Sequence, residues 1–261
     1  MKEALLKAQI PENRILYFDS IDSTNSRAKL LAAQGAKHGT ILLANHQTDG
    51  RGRIGRSFHS PAGLGVYLTM ILRPRCQASE LMHLTCAAAV AACDAVEAVT
   101  ALRPGIKWTN DLVHEKQKLG GILTELSLDS QGNVSYALIG IGLNCNHQPS
   151  DFPEEIRHIA TSLSAITGKF VDRGCIAVAT ISALDDMASR ILSDKPMFLE
   201  RYRTDCVTVG REVSVHSADS VRQGTAIGVD ENGGLEVIFP DGHIETVNSG
   251  EVSIRGMYGY L

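Results

Sequence analysis

The 261-residue chain is 44% hydrophobic with a formal net charge of −4. That is enough apolar material for a large core and too little positive charge for a general nucleic-acid binder, which relies on a basic field. Six cysteines form no Cys-x-x-Cys pair and nine histidines form no His-Glu-x-x-His, which argues for free thiols and against zinc.

In chain order, 15–18 reads as a short strand, and Asp22 or Ser23 can cap a helix running through Ala28, Leu30 and Leu31 to a terminating Gly35. A strand over 40–44 leads into Gln47-Thr48-Asp49-Gly50-Arg51-Gly52-Arg53-Ile54-Gly55-Arg56, where glycines that permit close backbone approach alternate with arginines that fork onto phosphate or carboxylate oxygens. Such a loop is expected to be mobile when empty and to close over an anion. Gly50-x-Gly52-x-x-Gly55 matches the dinucleotide fingerprint literally, but 66–72 reads as a strand rather than the required helix, and Arg73 and Arg75 stand near the expected acid. A kinase loop fails too: Ser57 stands where valine belongs, and neither His-Arg-Asp nor Asp-Phe-Gly occurs. A solvated basic turn is the plain alternative.

Further on, Ser79 opens a long helix to about residue 99, and three strand candidates follow at 105–109, 118–128 and 134–143, the last two joined as a hairpin by 129–133. Helices are expected over 172–192 and 196–205. From Val207 the chain turns to short strands split by Asp230-Glu231-Asn232-Gly233-Gly234 and Pro240-Asp241-Gly242, the pattern of a small SH3-like barrel. The expected domains are therefore 1–206 and 207–261. Residues 1–20 hold no long apolar run behind a basic start, and the apolar stretch around 87–92 is too short to span a bilayer. A cytoplasmic protein without a membrane partner is expected.

Two further segments carry charge where a core would not want it. Lys107 and Asp111 lie four positions apart at a strand end, too far for a simple pair along one strand. Lys118 stands beside Gly120 and Gly121, which allow close backbone approach to a ligand. Each lysine alone reads as a solvated strand end, and Trp108 reads as core packing.

In order along the chain, Asp22-Ser23-Thr24-Asn25, Gln47 with Gly50 to Arg56, Ser60-Pro61, Leu72-Arg73-Pro74, Lys107-Trp108-Thr109-Asn110-Asp111-Leu112, Lys118-Leu119-Gly120-Gly121-Ile122-Leu123 and Ile139-Gly140-Ile141-Gly142-Leu143-Asn144 together resemble biotin protein ligase. The resemblance implies an α+β fold, a mixed sheet with helices packed on it plus the SH3-like C-terminal barrel. It implies formation of biotinyl-5′-AMP from biotin and ATP with Mg2+, then transfer to a lysine of a biotin carboxyl carrier domain. It assigns Ser23, Thr24, Asn25, Gln47, Arg51, Gly52, Arg53, Lys118 and Gly121 to biotin, and Arg51, Arg53, Arg56, Phe58, Asn110, Lys118, Asn144 and Arg255 to ATP or adenylate. Lys118, Arg53, Asp111 and Lys107 are the expected catalytic set, with no fixed structural metal and no bound prosthetic group. Thr109 replaces the family's usual proline and Gly120 its frequent alanine. The ligase-like part begins by about Arg14, so the short, ligase-only type without a DNA-binding domain or operon repression is expected. Homodimers are common in the family. A lipoate ligase or octanoyltransferase, sharing this fold, is the nearest alternative, and a non-catalytic biotin or nucleotide sensor is the alternative from another class.

Overall fold

In the computed structural model the described residues are 1–8, 10–216, 220–248 and 251–254. The first part of the chain runs α1 (Lys2–Lys7), β1 (Ile15–Phe18), α2 (Thr24–Ala33), β2 (Thr40–Ala44), β3 (Gly65–Leu72), α3 (Leu84–Thr100), β4 (Gly105–Lys107), β5 (Asp111–His114), β6 (Gln117–Leu128), β7 (Val134–Asn144), α4 (Glu154–Arg157), α5 (Leu163–Thr167), α6 (Arg173–Arg190) and α7 (Lys195–Asp205). Its seven strands form one mixed sheet in the order β1-β2-β3-β7-β6-β5-β4. Only β1 and β2 are parallel, because α2 carries the chain across between them; the other neighbours are antiparallel.

Strand β3 is buried at all eight positions, which its run of aliphatic residues anticipates, since a central strand covered on both faces shows no alternation. One face, with Val66, Leu68 and Met70, joins the main core under α3, α6 and α7. The other face carries Leu42, Ile71 and Leu138 against Ala28 and Ala32 of α2. Ser23 caps α2 by accepting from the Ser26 amide, and the chain leaves through Gly35 at φ +92°.

The helix expected from Ser79 is broken. A 3-10 turn over Ala78–Leu81, closed by a reciprocal Gln77–Glu80 capping box, precedes α3. The break falls at Met82 and His83, and the buried His83 ring lies 3.0 Å from the Ile191 carbonyl. The run from Ala78 to Thr100 is long and apolar enough to cross a membrane, but two-thirds of its most apolar 18-residue stretch is buried inside the protein; its hydrophobicity is that of a core helix.

The expected strand over 105–109 stops at Lys107. Residues 105–114 form a tight hairpin in which Lys107 faces Asp111 across the β4–β5 pair. Four positions along the sequence therefore become one rung, because the chain reverses at Trp108–Asn110. The C-terminal strands β8 (Glu212–His216), β9 (Val221–Val229), β10 (Leu235–Ile238), β11 (Ile244–Val247) and β12 (Glu251–Ile254) form a second, antiparallel sheet in the order β11-β10-β9-β8-β12, the SH3-like unit.

Candidate active site

The residues that the sequence spreads over a hundred positions converge on one cleft, about 970 Å³ including its open mouth. Its lining takes in Ser23, Thr24, Asn25, Gln47, Arg51, Gly52, Arg53, Arg56, Phe58, Lys107, Asn110, Asp111, Lys118 and Gly121. The mixed sheet makes this possible: β6 and β7 lie side by side in its middle, α2 starts over one face, and the 50–56 loop arches above.

At one end the polar groups are fixed by one another. The Gln47 side-chain oxygen accepts from the Thr24 amide at 2.8 Å, and its nitrogen donates to Ser60 Oγ at 2.9 Å. A backbone N–H can only donate, so the orientation of the Gln47 amide follows. Asn25 Nδ2 lies 3.0 Å from Glu125 Oε2, while its oxygen accepts from Thr69 Oγ1 at 2.7 Å. An ionised carboxylate can only accept, so Glu125 orients Asn25. Thr69 Oγ1 is also 2.9 Å from Thr24 Oγ1, and its single proton serves only one of these two contacts. Gly140 lies beneath Asn25: a side chain there would run into the Asn25 amide.

At the other end the groups are charged. Lys118 Nζ stands 2.6 Å from Asp111 Oδ1, with the carboxylate side chain 16% exposed and the lysine 32%. Arg53 donates to Asn110 Oδ1 at 3.1 Å, and Asn110 Nδ2 donates to the Ile122 carbonyl at 2.9 Å. The β4–β5 hairpin thus presents an oxygen to each cation. Lys107 is 8% exposed in the same wall. Trp108 belongs to the core cluster and also lines the cleft, and its peptide bond to Thr109 is cis. Gly121 lies where a Cβ would come within 3.5 Å of Lys118 Nζ, and one at Gly142 would meet the Phe58 ring at 2.5 Å.

The loop over 50–56 is held by a few short bonds: Gly52 N–H to the Arg56 carbonyl, Arg56 N–H to Arg53, and Phe58 N–H to Gly50. Gly55 adopts φ +72° and Ile54 φ +54° with its side chain 69% exposed.

Two expected residues fall elsewhere. Asn144 is not part of the cleft lining; it is 5% exposed and donates to the Thr161 carbonyl, next to the bonds that join Lys118 to Ile159 and Thr161. Arg255 lies outside the described residues. The sequence reading missed Thr69 and Glu125, and singled out Ser60 without giving it a role. Thr69 had a signal, a hydroxyl in the middle of an aliphatic strand; Glu125 had none, because an acid on a hairpin strand is ordinary. The described cysteines are free thiols. Among the described residues no three His, Cys, Asp or Glu side chains cluster as a metal site.

A cleft with an uncharged hydrogen-bonding end and a cationic end under a Gly-Arg loop fits an enzyme that joins a carboxylate to a nucleotide phosphate. Residues 17–144 match the biotin/lipoate A/B protein ligase family, and residues 208–255 match the biotin protein ligase C-terminal domain. The chain is 32% identical to the bifunctional ligase/repressor BirA of Bacillus subtilis, over 95% of this chain and 76% of that protein. It is also 32% identical to the biotin--[acetyl-CoA-carboxylase] ligase of Mycobacterium tuberculosis, over 88% and 85%. Its fold superposes on the biotin protein ligase from Aquifex aeolicus in complex with biotin and ATP, with TM-score 0.77 and 30% identity over 93% of this chain and 98% of that one. The chain belongs to the biotin/lipoate A/B protein ligase family. Within that family it is a biotin protein ligase.

Proposed function

We propose that the chain activates biotin as biotinyl-5′-AMP and transfers the biotinyl group to a specific lysine of a biotin carboxyl carrier domain. The observation that carries this reading is the polarity of one cleft, with the fixed amides and hydroxyls of Thr24, Asn25 and Gln47 at one end and Arg53 and Lys118 at the other. The Aquifex ligase was obtained with both biotin and ATP, which supports the same pairing here.

In this reading Ser23, Thr24, Asn25 and Gln47 hydrogen-bond the ureido ring of biotin, whose remaining surface is apolar. Arg51, Gly52 and Gly121 flank it. Lys118 and Arg53 then act where charge accumulates: as the biotin carboxylate attacks the α-phosphate, two anions approach, a new carbon–oxygen–phosphorus bridge forms, and pyrophosphate leaves with the bonding pair. Fixed cations in a partly desolvated cleft stabilise such a transition state by about 3 kcal/mol per well-placed group. Lys107 adds positive charge to the same wall, and Arg56 and Phe58 serve the nucleotide. Asp111 and Asn110 supply oxygens of the kind a hard cation such as Mg2+ takes; bound with ATP, the ion neutralises phosphate charge. In the second step the acceptor lysine amine attacks the acyl carbon and AMP departs.

The reading includes a domain boundary near residue 206, cytoplasmic location, an acceptor on a biotin-dependent carboxylase, and no repressor activity. Biotin-dependent exchange of labelled pyrophosphate into ATP tests it without the acceptor. Exchange is expected with biotin and not with lipoate or octanoate. Exchange with lipoate alone would make the chain a lipoate ligase, and exchange with no acid would remove the adenylation step.

A further inference from the structure

We infer that Trp108 is a positioning residue for adenylation, tying the cationic wall of the cleft to the C-terminal sheet. Strand β4 has three residues and pairs with β5 through three rungs, too little ladder to fix a hairpin by itself. Strand β5 is held on its other side by β6, where Ile122 N–H also donates to the Asn110 carbonyl and Asn110 Nδ2 to the Ile122 carbonyl, while the β4 side and the turn lean on residues further along the chain. Val207 N–H donates to the Ile106 carbonyl at 2.9 Å, covering the edge of β4. The Trp108 backbone N–H donates to Thr208 Oγ1 at 2.8 Å, and its indole Nε1 donates to the Gly233 carbonyl at 2.9 Å. Tyr202 closes the set by donating its hydroxyl to the Thr109 carbonyl at 3.0 Å.

The Gly233 carbonyl is itself held firmly. Asp230 Oδ1 accepts from the amides of Asn232 and Gly234, both at 2.8 Å, and Lys195 donates to Asn232 Oδ1 at 3.0 Å. Gly233 adopts φ +87°, and a Cβ on it would come 2.7 Å from Cys86 Sγ, so the turn is wedged against α3. Trp108 itself lines the cleft beside Lys107, and the turn carries Asn110, which receives Arg53, and Asp111, which receives Lys118. The opposite end is built without it. The bonds of Thr24, Gln47, Ser60 and Thr69 run among α2, β3 and the loops between them. Loosening Trp108 should thus shift the cations and leave the amide end in place, slowing the chemical step while biotin still binds.

This rests on the adenylation reading above. The test is biotin-dependent pyrophosphate exchange by the full chain and by Trp108→Phe, Thr208→Val and Thr208→Ser, with KM for biotin and thermal unfolding measured alongside. Trp108→Phe keeps the ring and removes the N–H; Thr208→Val keeps the shape and removes the acceptor. Both are expected to lose at least about tenfold in kcat, as for a displaced charge-stabilising group, with KM for biotin within about twofold, and Thr208→Ser to return most of the rate. Variants as fast as the parent, or rates that fall only in step with biotin binding and folded fraction, would overturn the inference. A parent with no exchange would instead sink the adenylation reading, so the two failures are distinct.

Discussion

The contact between Lys118 and Asp111 sets what each can do. A lysine ammonium is a strongly hydrated point charge on a flexible stem; with Asp111 Oδ1 at 2.6 Å it is held against the cleft wall, at a net contribution to stability on the order of 1 kcal/mol for a partly buried pair that still meets solvent. Lys118→Met is expected to slow adenylation by about 100-fold or more through loss of a charge stabiliser. Asp111→Asn should cost less, because the charge remains and only its position relaxes. Single-turnover formation of biotinyl-AMP reads both, and equal rates in Lys118→Met and the parent would remove Lys118 from the chemistry. His147 is a different case, outside the cleft. Its ring is fully buried, stacked on Phe152 with centroids 4.9 Å apart, and neither nitrogen has a partner among the described residues. Burial pushes its pKa down to about 4, with the nearby His59 acting in the same direction. The unfolded chain therefore takes up the proton first, so the neutral ring contributes full stability above about pH 6.5, and that stability is lost as pH falls from there to about 4. The loss amounts to at most about 3 kcal/mol. His147→Leu should flatten the pH dependence of the urea midpoint in that window relative to the parent; parallel curves would refute it.

At the scale of elements, the loop over 50–56 and the hairpin over 105–114 differ in how they are held. The loop is stapled by a few internal bonds and reaches the hairpin through the Arg53 contact to Asn110, and it keeps Ile54, a β-branched residue, at positive φ and exposed. Such a residue is costly in that region. Closure over an adenylate would bury the side chain and shield the mixed anhydride from water. Amide exchange across 50–56 is expected to slow by at least about tenfold with biotinyl-AMP bound, and equal protection with and without it would end the idea. The hairpin was the element hardest to see. Lys107 and Asp111 suggested an irregular strand end, because nothing local marks a reversal at Trp108-Thr109-Asn110: there is no glycine and no proline. The anchors that impose the turn come from Thr208 and Gly233, about a hundred positions away. By contrast α2 was legible, since Ser23 and Gly35 are local signals for its two ends. The long helix over 79–99 was half legible: composition gave its apolar core, and the break at His83 depends on Ile191.

Over the whole molecule, the cleft is lined by the larger sheet and its loops, but not supported by them alone. The wall bearing Lys107, Asn110 and Asp111 leans on the C-terminal unit, while the amide end is made by the larger sheet alone. The net charge of −4 gives no overall basic field, so no retardation of duplex DNA is expected at physiological salt; a shifted band would revive a regulatory role. Sequence alone determined the family, because the Gly-Arg loop, the Lys-Trp-x-Asn-Asp-Leu segment and the Lys-x-Gly-Gly segment are contiguous runs that can be recognised, in order, without a fold. It also determined the change to short strands after Val207, since tight turns are local. Only the tertiary structure decided which of those residues face one another. Pairing of Lys118 with Asp111, control of Asn25 by Glu125, and the hold of the C-terminal turn on Trp108 are contacts across strands and sheets, and a partner far along the chain leaves no mark on local propensity.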